Sequence, residues 1–171
     1  CPDPLVDRII RESMRVLPAS AYSQRINDAA VQLGPFDLPR GTPIVFTPLI
    51  THHLAEFYPE PECFDPDRWL TIRPSAYEYI PFGGGPRLCI GGAPPMWNIL
   101  AMEIIRTPLP RIARHCSLSL EPGGEINAEV RGTMLNPADT VPMRVGMPGK
   151  DYATQEIRGN VNLLCEFPVY G

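Results

Sequence analysis

The run Phe82-Gly83-Gly84-Gly85-Pro86-Arg87-Leu88-Cys89-Ile90-Gly91 sets one cysteine on a glycine-built loop with an arginine two residues before it. Glycine reaches left-handed backbone conformations, so such a loop can bring main-chain N–H groups close to a ligand. Amides, the Arg87 cation and the N-terminus of a following helix would all favour thiolate over thiol, making Cys89 a metal ligand or a nucleophile. A single thiolate on a flat, apolar-lined pocket is one way to hold haem iron and push electron density toward oxygen.

Other chemistries are open to such a loop. A phosphate-binding loop needs Gly-Lys-Ser/Thr after the glycines, whereas Arg-Leu-Cys-Ile follows here. A zinc or iron–sulfur site needs closely spaced cysteines, and Cys1, Cys63, Cys116 and Cys165 are scattered without a C-x-x-C pair. A nucleophilic cysteine needs a histidine base, and with His52, His53 and His115 in the chain that reading stays open. His52 and His53 are themselves read as capping or packing residues, and Cys63 and Cys116 as buried packing thiols.

The pattern Phe82-x-x-Gly85-x-Arg87-x-Cys89-x-Gly91 resembles the haem-binding signature of the cytochrome P-450 monooxygenases. Two more of that family's signatures stand upstream in its order: Glu12-x-x-Arg15 in a helical run, and Phe64-Asp65-Pro66-Asp67-Arg68-Trp69. The resemblance implies haem b as cofactor, Cys89 as proximal iron ligand, and Phe82, Gly83 and Gly91 as parts of the haem loop, residues 82–92. It implies that Arg87, and Arg25 in the strand-like segment Ala21–Ile26, meet the haem propionates, where a planar guanidinium pairs with a carboxylate through two hydrogen bonds. It further implies that Glu12, Arg15 and Arg68 form a buried structural triad locking the haem loop against the first helix. Read without the resemblance, Glu12 and Arg15 are simply helix neighbours forming a surface ion pair of little consequence.

The expected fold is α+β, mainly α: helices, short β elements and a proline-rich coil around the haem loop, as in the carboxyl-terminal part of the family's fold. The chain would be a single partial domain, a fragment or truncated gene product, with a tail from 147 to 171 whose Arg158-Gly159-Asn160 resembles bacterial members. The implied reaction inserts one oxygen atom of O2 into a small apolar substrate, with electrons from a ferredoxin or flavoprotein reductase. No residue here receives a catalytic role, because the family's proton-delivering helix precedes this region, and the fragment alone is expected to be inactive. The alternatives are a non-catalytic haem-binding or interaction module and a degenerate product that does not fold. After Gly92 the residues Ala93-Pro94-Pro95-Met96-Trp97-Asn98 depart from the family pattern and read as an insertion, with the helix restarting near Asn98.

These motifs need elements to hold them. Leu5, Val6, Ile9, Ile10, Met14 and Leu17 recur at helical spacing, predicting an amphipathic helix from Asp3, its N-cap, to Leu17. Short strands are expected at Tyr22–Ile26, Val31–Leu33 and Pro43–Leu49, and a short helix at His52–Phe57. An ordered coil is expected from Tyr58 to Pro81. A helix from Ile99 to His115 should be bent or ended by Pro108 and Pro110, and strands at Ser117–Leu120 and Val141–Val145 would close the domain.

With 171 residues, 44% of them hydrophobic, the chain can build one core, and its 22 prolines mark coil and short strands over a helical bundle. A net charge of −4 argues against a nucleic-acid or anionic-membrane binder. No apolar run is long enough to span a membrane, and five cysteines without a spaced framework suit a reducing compartment, the cytoplasm.

Overall fold

The computed structural model describes residues 4–89, 97–149 and 156–166. Helix α1 runs from Pro4 to Val16 and buries Val6, Ile10 and Val16. Proline at its first position is preset for helical φ and lacks only an N–H that would be orphaned there anyway. The same buried face carries Glu12 and Arg15, so the pair is no surface ion pair. Asp3, the expected N-cap, lies outside the described residues.

Among the described residues, eight short strands pair into four separate two-stranded antiparallel sheets. Strand β1 (Ser23–Ile26) pairs with β4 (Pro43–Phe46), with Arg25 opposite Ile44. Between them β2 (Val31–Leu33) and β3 (Phe36–Leu38) form a hairpin the sequence reading did not foresee in full. Gly34, at φ +57°, opens its two-residue turn, a conformation glycine adopts without steric cost. The short helix expected at His52–Phe57 lies earlier: α2 spans Pro48–Thr51, and turns follow it. Pro48 at the helical first position fixes this start.

The stretch from Tyr58 to Pro81 is coil around one helical turn, α3 (Arg68–Thr71). Beyond the cysteine loop, α4 (Trp97–Arg106) begins one residue before Asn98 and is followed by α5 (Pro108–His115). The break falls at Pro108, because a proline inside a continuous helix would lose a bond and clash with the preceding turn. Arg106 Nε donates to Asp7 Oδ1 at 2.6 Å, tying α4 to α1. The expected closing pair is present as β5 (Ser117–Leu120) and β8 (Met143–Gly146). A further hairpin, β6 (Ala128–Arg131) and β7 (Met134–Pro137), lies between them.

The described tail residues 156–166 pack back on the coil that follows Tyr58. Glu166 N–H donates to Glu62 O at 2.6 Å and Phe64 N–H donates to Glu166 O at 2.9 Å, so Val161 and Cys165 are buried. The core they join holds Val6, Ile10, Val16, Ala21, Tyr58 and Trp69.

Candidate functional site

Glu12 lies at the centre of a buried polar cluster. Its carboxylate accepts from Arg15 Nε at 3.0 Å and Nη2 at 2.8 Å, from Arg68 Nε at 3.0 Å, from the Asp65 N–H at 3.0 Å and from Trp69 Nε1 at 3.0 Å. Arg15 spends its remaining donors on the carbonyls of His52 (2.9 Å), Pro61 (2.7 Å) and Cys63 (3.1 Å). Arg68 reaches the carbonyls of Pro59, Glu60 and Cys63. Glu12 and Arg15 are fully buried and Arg68 nearly so. Burial alone would raise the Glu12 pKa, but the Arg15 hydrogen bonds and charge, the Asp65 amide and Arg68 outweigh it and hold the carboxyl below its ordinary value.

Four rings cover this cluster. Tyr79 meets Trp69 edge-on at 4.8 Å between centroids and stacks on His52 at 5.4 Å, and Tyr58 lies between His52 and Trp69. The Arg15 guanidinium sits 5.3 Å from the Tyr58 ring centroid, within cation–π range. Tyr58 donates its hydroxyl to Glu78 O, and Tyr79 donates to Arg11 O. Burial raises the pKa of both phenols. The coil from Tyr58 to Tyr79 is thus clamped onto α1 from both ends.

The cysteine loop starts where that coil stops. Gly83 N–H donates to Ile80 O at 3.0 Å, closing a turn with Pro81 in the position that its fixed φ suits. Cys89 N–H then donates to Phe82 O at 2.9 Å, so the loop returns on itself with the cysteine held at its neck. Gly83 and Gly85 sit at φ +76° and +65°, and Gly85–Arg87 forms a single 3-10 turn. Cys89 is an unpaired, exposed thiol. Arg87 is exposed on the same loop, while Arg25 is exposed on β1 with Nη1 donating to the Gln24 carbonyl. Neither arginine joins the buried cluster. Gly91 and the stretch from Ala93 to Met96 lie outside the described residues.

A cavity of about 560 Å³ lies behind the loop, bordered by Arg11 and Met14 of α1, Tyr79, Phe82, Leu88 and Met102 of α4. Cys89 is not among the residues that border it.

Residues 4–141 match the sequence pattern of the family described as cytochrome P450 (cytochrome P-450 hereafter). The chain belongs to the cytochrome P-450 family. It is 30% identical over 139 residues to cytochrome P-450 4c21 of Blattella germanica, covering 80% of this chain and 27% of that protein. It is 36% identical over 118 residues to the cyclooctat-9-en-7-ol 5-monooxygenase of Streptomyces melanosporofaciens, covering 67% and 24%. The solved structure of cyanobacterial CYP120A1 with retinoic acid bound superposes with a TM-score of 0.74 at 24% identity, covering 84% of this chain and 33% of that one. The fold is therefore that of part of a cytochrome P-450, and the chain spans about a quarter of the length of the curated relatives it matches.

Members of this family bind haem b through a cysteine thiolate. Among the described residues no group of three or more His, Cys, Asp or Glu side chains is placed to hold a metal ion. One exposed thiol suits an iron whose equatorial ligands come from a macrocycle, so the donor set fits haem.

The sequence reading missed the third side chain on Glu12. Trp69 directly follows Arg68, and an indole N–H beside a buried cluster must find an acceptor; that adjacency was the signal.

Proposed function

We propose that this chain is the haem-holding part, a single partial domain, of a cytochrome P-450 monooxygenase, with Cys89 as the axial thiolate. The observation that carries the reading is Cys89 itself: an exposed, unpaired thiol at the neck of a glycine loop whose ends are tied by the Cys89–Phe82 bond. What a bound haem supplies is redox iron chemistry on O2, which a thiolate ligand biases toward O–O cleavage. The chain's own residues hold and orient. Gly83 and Gly85 give the loop its left-handed bends, and the Phe82 carbonyl accepts the Cys89 N–H. The exposed guanidinium of Arg87, and that of Arg25 from β1, are available to neutralise propionates through paired hydrogen bonds. Glu12, Arg15 and Arg68 keep the coil that leads into the loop fixed on α1.

In the whole protein the reaction would place one oxygen atom of O2 in a small apolar substrate and the other in water, consuming two electrons from a ferredoxin or flavoprotein reductase and two protons. This reading assigns a proton relay to none of the described residues, and on it the chain alone would hold haem without turnover. Among the described residues no helix is long and apolar enough to cross a membrane, and a cytoplasmic setting suits its unpaired cysteines.

The test is haem stoichiometry. The purified chain should take up one haem per molecule and Cys89→Ala should take up none in thiolate-ligated form. A chain that stays colourless when supplied with haem would sink the reading, and substrate-dependent oxygen consumption by the chain alone would overturn the claim of inactivity.

A further inference from the structure

His52 is fully buried, its ring is half-satisfied, and it stands between the Glu12 cluster and the cysteine loop. Its carbonyl accepts from Arg15 Nη1 at 2.9 Å, so α1 holds its backbone. Its ring is oriented by the stack on Tyr79 and the edge contact with Tyr58. In that orientation Nε2 accepts the Ile80 N–H at 2.9 Å. Ile80 is the last residue before Pro81 with an N–H to give, since proline has none, and its own carbonyl receives the Gly83 N–H. Ile80 is thereby pinned on both sides at the origin of the loop.

We infer that His52 is a positioning residue for the cysteine loop, acting as a neutral imidazole that fixes Ile80 and, through the Ile80–Gly83 turn and the Phe82–Cys89 bond, the place of Cys89. The relay reads Arg15 to the His52 carbonyl, His52 ring to Ile80, Phe82 to Cys89, with one hydrogen bond at each junction. Accepting at Nε2 requires the ring's proton to sit on Nδ1, and Nδ1 is buried without a partner. A packing residue has no need of that arrangement, because a phenyl ring would fill the space with no orphaned donor. A fully buried polar group that leaves one nitrogen unsatisfied and spends the other on a loop's first amide is placed for the amide. That Cys89 is the residue worth positioning rests on the haem reading above.

The experiment compares the haem-free 171-residue chain with His52→Phe and His52→Gln by amide hydrogen exchange, and reads the His52 tautomer in the unaltered chain by long-range proton–nitrogen NMR. Phenylalanine keeps the ring without an acceptor, whereas glutamine can offer an oxygen near the Nε2 position. Exchange at Ile80 and Cys89 should rise about tenfold or more in His52→Phe and recover to within about threefold in His52→Gln. Val130 in β6 should not change in either variant. The tautomer should be the Nδ1–H form with Nε2 hydrogen-bonded. Unchanged exchange at Ile80 and Cys89, an equal rise at all amides, or an Nε2–H tautomer would each overturn the inference. If neither variant folds, the tautomer decides. Because no haem is present, a failure to bind haem would sink the functional reading while leaving this one standing.

Discussion

Arg68 Nε donates to Glu12 Oε1 at 3.0 Å across 56 residues of sequence, and that contact ties the coil before the cysteine loop to the first helix. Both groups are out of water, so the pair is costly to break one-sidedly: a lone buried charge is far less stable than a paired one.

Glu12→Ala should therefore destabilise the chain by about 3–5 kcal/mol and abolish stable haem incorporation, as should Arg15→Ala. Urea unfolding and haem content per chain measure the two effects. Normal haem loading in both variants would show that the cluster is not what keeps the loop in place.

Trp69→Phe isolates one donor, removing the indole N–H from Glu12 Oε2 while keeping an aromatic ring against Tyr79 and Tyr58. Hydrogen bonds to charged groups contribute about 1.5–3 kcal/mol, and unfolding of this variant should show a loss in that range. A loss below about half a kcal/mol would mean that water replaces the indole.

Acid should act in two windows. Burial, aided by the nearby Arg15 charge and His53, lowers the His52 pKa from 6.5 to about 4, with Tyr58 and Tyr79 as the other titratable groups against its ring. Between those values the unfolded chain binds a proton that the folded one refuses, so stability falls as pH drops from 6.5 toward 4, by up to about 3 kcal/mol. Glu12, with its folded pKa lowered from 4.5, contributes fully above that value and is lost as the pH falls through its folded pKa. Unfolding free energies at pH 7 and pH 5 should differ in the unaltered chain, and the difference should shrink in His52→Phe.

Much of this arrangement was legible in the residues because its parts are local. The amphipathic spacing of α1, the strands Val31–Leu33 and Ser117–Leu120 and the break at Pro108 follow from periodicity and proline chemistry. The burial of Glu12 and Arg15 was not legible from spacing, since a pair three residues apart looks the same on a wet or a dry face. What decides it is Trp69, Tyr58 and Tyr79 arriving from a distant coil. The same limit hid the tail, where Ile126 N–H donates to Arg158 O at 2.8 Å, Asn160 N–H donates to Asn127 Oδ1, and the Asn160 side chain exchanges two bonds with the Ala128 backbone. The sequence places Pro48 near the end of a strand and the short helix at His52–Phe57, whereas proline's fixed φ lets Pro48 start the helix four residues earlier.

The tail's docking gives a sharp contrast between two glycines. A Cβ at Gly159, φ +103°, would lie 2.3 Å from Ile126 O, whereas one at Gly85, φ +65°, would meet nothing within 4 Å. Gly159→Ala should cost about 2–4 kcal/mol from backbone strain and overlap, and Gly85→Ala about 1–2 kcal/mol from strain alone. Equal losses would contradict the described docking.

Thiol chemistry should separate the cysteines. Burial pushes the Cys165 pKa up to about 12, while Cys89 stands exposed. An alkylating reagent should label Cys89 more than about tenfold faster than Cys165 in the folded chain, and haem should protect Cys89 selectively; mass spectrometry reads both.

The central claim is that Cys89 binds haem iron as a thiolate, and the absorption spectrum of the haem-loaded chain, reduced and exposed to carbon monoxide, tests it most directly. A strongly red-shifted Soret band, lost in Cys89→Ala, is the expected result. A band at the ordinary haem position, or no haem at all, would contradict it.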